Sequence, residues 1–250
     1  MNSKVSIILP NYNSSNTILA TVNSIIKQSY KNWELVIIDD CSNFKTKQIL
    51  SNFKKIKKIK IYYLKKNKGA GYCRNFAIKK SNSDYLAFID SDDLWLKNKL
   101  KLQINYMNKN NYHFTYTNYK TFSVNKHKKK IINVPKKLNF NSFVRNTSIA
   151  TSTMIVKRFF ADGIKFSNTK ICEDYHFKCQ LLKKIGYAYC LPNYLTEYQI
   201  RKNSLQSNRF KNLYWMWKIN KSLNNFNIFK NFLSIFFISI NSLKKYGFRQ

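Results

Sequence analysis

Four short apolar runs rich in β-branched residues recur in the first hundred positions: "VSIILP" (5–10), "WELVIID" (33–39), "IKIYYL" (59–64) and "DYLAFID" (84–90). Apolar residues on consecutive positions, over so few residues, read as strands buried on both faces. The stretches between them carry another period. In "NTILATVNSIIKQ" (16–28), Ile18, Val22, Ile25 and Ile26 recur three and four apart and fall on one side of a helix. Strand and helix in alternation predict βαβ units with right-handed crossovers, hence an α/β fold: a Rossmann-like, mostly parallel sheet flanked by helices.

The second half is less regular. Alternation in "HFTYTNY" (113–119) and the run "ATSTMIV" (150–156) predict further strands on a mixed or antiparallel edge. "EDYHFKCQLLKKIG" (173–186) predicts a helix with acids in its first turn, lysines in its last and Gly186 as its C-cap. Beyond Asn208 come two aromatic-rich helical stretches, "RFKNLYWMWKINKSL" and "FNIFKNFLSIFFISINSLKK". The run from Phe232 to Ile240, free of both charge and Asn, falls well short of the roughly 18 residues a spanning helix needs. With Lys230, Lys244 and Lys245 around it, the last stretch suits a helix lying on an anionic membrane surface or one packed against the core.

Composition sharpens this picture in two ways. The chain carries 45 Lys plus Arg against 11 Asp plus Glu, a formal net charge of +34. Such charge favours anionic partners. Yet only six of the basic residues are Arg, the better fork for phosphate and base edges, so general drift toward Lys competes with a dedicated polyanion site. The five cysteines form no C-x-x-C pair, so neither a disulfide framework nor a zinc site is expected, and a reducing cytoplasm is the default. No signal peptide is expected from the opening residues.

The few acids are gathered rather than scattered. Seven of the eleven fall in three clusters, Asp39–Asp40, Asp90/Asp92/Asp93 and Glu173–Asp174. In an open parallel sheet, ligands bind beyond the carboxyl ends of the strands. The residues expected there are Asn11, Tyr12 and Asn13 after the first strand and Asp39–Asp40 after the second. Asn67, Lys68 and Gly69 follow the third, and Asp90, Ser91, Asp92 and Asp93 the fourth. Adjacent carboxylates repel one another unless a cation neutralises them, and Mg²⁺ or Mn²⁺ does so with one or two protein carboxylates plus substrate phosphates. If the D-S-D-D segment is extended, Asp90 and Asp92 share a face while Asp93 turns aside to cap a helix beginning near Leu94. Simple capping and solvation of that helix is the competing explanation. "NKGAGYCRN" (67–75) lacks both the dinucleotide fingerprint and the P-loop lysine, but its two glycines permit close approach of a ligand and Arg74 can reach a phosphate or carboxylate. Gly69 equally suits a plain turn.

Taken together, "VSIILPNYN", "WELVIIDDCS", "NKGAGYCRNFAI", "YLAFIDSDDLW" and "CEDYHFKCQL" resemble, in order and spacing, the inverting glycosyltransferases of family two, which have the GT-A fold. The resemblance covers about residues 4 to 205. It implies that residues 1–207 form the transferase domain, with 1–110 as its nucleotide-binding half and 111–207 as its acceptor side, and that 208–250 form a C-terminal helical extension. It places Pro10, Tyr12 and Asn13 at the nucleotide, Tyr12 near the base, and gives Asp39 and Asp40 the uracil, Asp40 directly. Asn67, Gly69, Arg74, Asp90 and Ser91 complete the nucleotide site. Asp90 and Asp92 would hold the metal, Mn²⁺ or Mg²⁺, Asp92 as the direct ligand. Asp174 would be the catalytic base; by residue type alone, Glu173–Asp174 would be a charge pair at a helix N-terminus.

Two departures from the family pattern stand out. Cys73 precedes the arginine where a small residue is usual, and "YQIRKNSLQSN" (198–208) has Gln199 where arginine is common, leaving Arg201 as a substitute phosphate contact. His176, two residues beyond Asp174 on the same helix, points elsewhere and reads as a solvated or core histidine. The implied function is metal-dependent transfer of a sugar from a nucleotide donor, a UDP-sugar, to a glycan or lipid-linked glycan of the cell surface, by a cytoplasmic enzyme that can sit at the inner face of the membrane. Two other classes remain open: a basic nucleic-acid-binding protein, although no specific nucleic acid is expected, and an inactive relative serving as a scaffold.

Overall fold

The computed structural model describes residues 3–123, 130–169, 171–200 and 209–246. The four apolar runs form β1 (Val5–Asn11), β2 (Trp33–Asp39), β3 (Ile59–Tyr63) and β4 (Tyr85–Phe88). Between them run the helices α1 (Ile18–Ile26), α2 (Phe44–Ser51) and α3 (Ala70–Lys80). After β4 come β5 (Leu94–Trp95), α4 (Lys99–Asn110), β6 (Phe114–Ser123), β7 (Lys130–Ile132), β8 (Lys137–Asn139) and α5 (Phe140–Asn146). A single 3-10 turn at Thr151–Thr153 leads into β9 (Ile155–Lys157) and the short α6 (Arg158–Ala161). The chain continues with α7 (Glu173–Ile185), β10 (Tyr187–Ile200), α8 (Arg209–Ser222) and α9 (Ile228–Tyr246).

The strands form one sheet in the order β3-β2-β1-β4-β9-β6-β10-β5, with β7 paired to β6 and β8 to β10. The pairings of β1, β2, β3 and β4 are parallel, as expected, and β6 and β10 are also parallel to one another. β9 runs antiparallel between β4 and β6, so the sheet is mixed through its middle and not only at an edge. Alternation within the apolar runs is what buries both faces. Ile8, Val36, Ile38, Leu86 and Phe88 join one core with α5 and α7, while Ile7, Leu9, Leu35, Ile37 and Ala87 join a second with α1 and α4. Pro10 is tolerated in a central strand because it lies past the last β1–β4 residue pair, Ile8 with Phe88, where no ladder bond is needed.

Three local expectations are corrected. No helix begins near Leu94. Leu94–Trp95 instead pairs antiparallel with Thr196 and Glu197 of β10, and the helix starts at Lys99. The run 150–156 is not one strand, because Thr151–Thr153 coils into the 3-10 turn and only Ile155–Lys157 joins the sheet. The D-S-D-D segment is a turn rather than extended, closed by the Asp93 N–H donating to the Asp90 carbonyl at 3.1 Å, so the alternating-face argument for Asp90 and Asp92 does not hold. The helix at 173 and its Gly186 cap, at φ +89°, are as expected. Among the described residues no helix is long and apolar enough to cross a membrane.

α9 is amphipathic in a particular way. Asn231, Ser234 and Ile238 recur at three and four residues and are buried, with the Ser234 hydroxyl donating to the Val144 carbonyl at 2.6 Å. Phe229, Phe232 and Phe236, on the opposite side, are exposed. The helix therefore packs on the core and leaves an aromatic face uncovered. Between α5 and α9 lies an open groove of about 780 Å³ with Asn139, Arg145, Phe229 and Lys230 in its wall, and no carboxylate among the described residues lines it.

Candidate active site

The strand order places β2 and β4 on opposite sides of β1, so the crevice at the carboxyl ends of β1 and β4 is the topological switch point of the sheet. The loops after β1 and β2 are sewn together there. The Asn11 side-chain amide donates to Asp39 Oδ1 at 2.7 Å, and the Ser42 N–H donates to Asp39 Oδ2 at 3.1 Å. Asn13, at φ +46°, receives the Asn43 N–H on its side-chain oxygen at 2.8 Å, and its own N–H donates to the Ser42 hydroxyl. Tyr12, between them, is 52% exposed, with its ring at the surface.

Asp40 does the same for the third loop. Its Oδ1 accepts from the Lys68 N–H at 2.7 Å and its Oδ2 from the Gly69 N–H at 2.8 Å. Gly69 sits at φ +87°, a region where other residues are strained, and begins α3. The Asn67 side chain closes this loop on the Asp40 carbonyl. Asp39 and Asp40 are thus buried loop anchors, and each bonded carboxylate oxygen retains a further lone pair.

Arg74, held in the third turn-to-helix segment as anticipated, is the hinge of the charge arrangement. Its side chain is 6% exposed, and it donates from Nη2 to Asp90 Oδ1 and from Nη1 to Glu173 Oε1, each at 2.6 Å. Burial alone would lower its pKa, but Asp90, Glu173 and Asp174 overcome that and hold it firmly protonated. For Glu173, burial is the larger influence and raises the pKa even against Arg74. Gly71, two residues into α3, lets this contact form, since a Cβ there would stand 2.7 Å from the Ser167 carbonyl oxygen and 3.1 Å from Glu173 Cβ and Cγ.

In the turn after β4, Asp90 and Asp92 are half-buried and flank Ser91, whose carbonyl accepts from the Thr17 hydroxyl at 2.8 Å. Asp93 is buried and caps no helix. Its Oδ1 accepts the Gln199 N–H at 2.9 Å, and burial, then Asp92 and Asp90, push its pKa well above the usual carboxylate range. Two half-buried carboxylates in one turn are a donor set that fits a hard divalent ion whose remaining ligands come from a diphosphate and water. No group of three or more His, Cys, Asp or Glu among the described residues is placed to hold a metal by itself.

Asp174 opens α7 beside Glu173. Its Oδ2 accepts from Lys178 Nζ and from the Thr151 hydroxyl, each at 2.6 Å. Burial would raise its pKa; Lys178 and then Arg74 reverse that and hold the carboxyl well below its usual range. His176 does not join the cluster. Its half-buried ring is held to a lowered pKa by burial and by Lys183, at the far end of the same helix. Arg201 lies outside the described residues.

The sequence left the 3-10 turn unnoticed. The Ser152 hydroxyl accepts the Asp90 N–H at 3.0 Å, the Ser152 carbonyl accepts the Trp95 indole N–H at 2.8 Å, and neighbouring Thr151 holds Asp174. One turn thus ties the Asp90 loop to the first turn of α7. For Lys178 a signal exists, the i,i+4 acid–base spacing from Asp174; for Thr151 and Ser152 none does.

This architecture is shared with solved glycosyltransferases. It superposes on residues 1–349 of S. aureus TarS in complex with UDP-GlcNAc with a TM-score of 0.73, at 22% identity, covering 96% of this chain and 73% of that one. A mannosyltransferase, PcManGT from Pyrobaculum calidifontis, in complex with GDP-Man and Mn²⁺, matches with a TM-score of 0.70 at 15% identity, over 98% of this chain and 71% of that one. In sequence, the chain is 35% identical over 216 residues, 86% of its length and 84% of the relative's, to the Escherichia coli protein WfgD, a UDP-Glc:alpha-D-GlcNAc-diphosphoundecaprenol beta-1,3-glucosyltransferase. The family model described as "Glycosyl transferase family 2" matches residues 6–175, from the first strand to the opening of α7 and so across every carboxylate cluster of the cleft. The chain, built on the GT-A fold, is a glycosyltransferase and belongs to glycosyltransferase family 2.

Proposed function

We propose that the enzyme transfers a sugar, with inversion, from a UDP-sugar to a lipid-linked glycan during synthesis of a cell-surface polysaccharide. One observation carries this reading: buried Arg74 joins the Asp90 turn, on the donor side, to Glu173, the neighbour of Asp174, at 2.6 Å to each. The diphosphate and the base of an in-line displacement have to stand on opposite walls of one cleft, and that ion bridge spans the two walls.

In this scheme the nucleoside lies over the β1 and β2 loops, with Pro10, Tyr12, Asn13, Asp39 and Asp40 forming its pocket and Asp40 closest to the uracil. Asn67, Gly69, Arg74 and Ser91 border the ribose and phosphates. Asp92, assisted by Asp90, would hold Mn²⁺ or Mg²⁺. When bound, the ion supplies positive charge that stabilises the departing diphosphate. Asp174 accepts the proton of the acceptor hydroxyl as that oxygen attacks the anomeric carbon, so one carboxylate serves as general base. Carboxylates around the cleft would repel a bare nucleic-acid backbone, which disfavours that partner. Support for the donor and acceptor classes comes from the UDP-GlcNAc of TarS and the diphosphoundecaprenol in the name of WfgD.

Residues 1–207 constitute the transferase domain, with the nucleotide half in 1–110 and the acceptor side in 111–207. The C-terminal helices of 208–250 rest on an anionic membrane surface. Exposed Phe229, Phe232 and Phe236 on α9 enter the headgroup region while lysines such as Lys218 and Lys230 face lipid phosphates, each near-surface lysine adding about 1 kcal/mol.

Calorimetry with UDP, GDP and dTDP, with and without Mn²⁺, on the native chain and Asp92→Asn is the test. UDP binding that requires both the ion and Asp92 is expected. Binding indifferent to ion and substitution would refute the metal site, and no nucleotide binding would favour a scaffold.

A further inference from the structure

Lys178 carries a charge into the interior next to the proposed base. Its side chain is 4% exposed, against 19% for Asp174. Lys178 Nζ donates to Asp174 Oδ2 at 2.6 Å and to the Thr151 hydroxyl oxygen at 2.9 Å, while the Thr151 hydroxyl donates to the same Oδ2 at 2.6 Å. The directions are forced, because an ammonium cannot accept and an ionised carboxylate cannot donate. The hydroxyl therefore gives its one proton to Asp174 and takes one from Lys178, closing a triangle. Both bonds to Asp174 fall on Oδ2, which fixes rotation of the carboxylate about its last torsion.

We propose that Lys178, seconded by Thr151, is a positioning residue for the reaction: it grips Asp174 through Oδ2, keeps it ionised, and turns Oδ1 toward the acceptor hydroxyl. The inference rests on the assignment of Asp174 as the base. In the step it serves, the acceptor O–H proton moves to Oδ1 and the acceptor oxygen forms its bond to the anomeric carbon. The anomeric carbon–phosphate oxygen bond breaks, and its electron pair leaves with the diphosphate.

The groups facing Asp174 are Lys178 and Glu173 on α7, Cys172 just before it, Arg74 on α3 and Thr151 on the 3-10 turn. Burial opposes ionisation of Asp174. Lys178 counters burial most strongly, and Arg74, already shared between Asp90 and Glu173, does so next. A base without Lys178 would consequently be protonated more readily and free to rotate.

The test does not need the acceptor. The chain has eight aspartates, so with ¹³C-carboxyl-labelled aspartate each can be titrated by NMR, Asp174 being identified by its loss in Asp174→Asn. Native Asp174 is expected to stay ionised throughout the range in which the protein remains folded. In Lys178→Met its midpoint should rise into that range, so that Asp174 titrates while the protein is still folded, and in Thr151→Val the shift should be smaller and in the same direction. Lys178→Arg should keep it low. An Asp174 that remains ionised in folded Lys178→Met overturns the proposal. If Lys178→Met does not fold, an Asp174 that remains ionised in folded Lys178→Gln does so. With transfer measured, Lys178→Met should lower kcat and raise the acid limb of the pH profile while UDP affinity is unchanged. Transfer surviving in Asp174→Asn would instead remove the base assignment itself, which separates the two failures.

Discussion

Arg74→Met offers a demanding test of the cleft's electrostatics. The substitution keeps most of the aliphatic stem, which matters because the guanidinium carbon also lies 5.3 Å from the centre of the Phe166 ring, but it removes the one charge shared by Asp90 and Glu173. Breaking a buried ion pair from one side costs about 3 to 5 kcal/mol, because the remaining charge is left uncompensated. Asp90, 30% exposed, can rehydrate, whereas Glu173, 13% exposed, cannot do so readily. The lower end, about 3 kcal/mol at neutral pH, is therefore expected, and at about 2 to 4 °C per kcal/mol for a chain of this size Tm falls by about 6 to 12 °C.

The loss should depend on pH in a defined direction. Burial already raises the Glu173 pKa in the native protein, and removing Arg74 takes away the main influence holding it down. A carboxyl with a folded pKa above its unfolded one destabilises the fold fully above the folded value, and that destabilisation disappears as pH falls toward the unfolded value. The gap in Tm between native and variant should thus narrow from neutral to mildly acidic pH. Calorimetric melting across that range is the assay. Arg74→Met/Glu173→Gln should recover much of the loss, because the orphaned charge is gone, whereas Arg74→Lys should recover little, since one ammonium cannot fork to both partners. A deficit of less than about 2 °C at neutral pH, or one that does not shrink in acid, would refute the reasoning.

Gly71→Ala should cost about 1 to 3 kcal/mol by overpacking, since its Cβ meets the Ser167 carbonyl oxygen at 2.7 Å; a melting temperature equal to native would contradict the close approach of α3 to α7. Glu34 is buried, and although burial raises its pKa, bonds from Ser6, the Asn82 N–H, Lys4 and Lys60 bring it down to about 2. That shift from 4.5 is worth about 3 kcal/mol, and screening at Lys4 and Lys60, 40% and 43% exposed, reduces it to about 2 kcal/mol. This contribution is complete above about pH 4.5 and lost as pH falls toward about 2, so Glu34→Gln should melt below native at neutral pH and converge with it in acid. Replacing Phe229, Phe232 and Phe236 together by Ser should abolish flotation with anionic vesicles at nearly unchanged Tm; retained flotation would remove these side chains from any membrane contact.

Much of the cleft could be read along the chain because its parts are local. Each loop after β1, β2, β3 and β4 follows directly on an apolar run whose length and β-branching mark a buried strand, and parallel topology brings all four loops to one end of the sheet. Asp174 was singled out through the resemblance, whereas Lys178 was passed over although its i,i+4 spacing from Asp174 offered a signal. The segment after Asp93 was misread because helix and strand signals compete there, and pairing of Leu94–Trp95 with β10, a hundred residues on, decides the outcome. The Asp39–Asp40 pair was assigned to ligand alone, although Asn11, Ser42, Lys68 and Gly69 already hold both carboxylates.

What the sequence determined by itself is the set of periods and clusters: which segments bury two faces, which bury one, and where the scarce acids stand. Those follow from interactions within a few residues of one another. Only the tertiary structure decided that Arg74 reaches Glu173 across 99 positions, that the 3-10 turn at Thr151 links Asp90 to Asp174, and that α9 turns Ser234 inward and Phe232 outward. The physical reason is that these contacts depend on strand order. β9, arriving antiparallel between β4 and β6, carries the Thr151 turn to the mouth of the cleft, and no local pattern in the chain specifies where in the sheet a three-residue strand will insert.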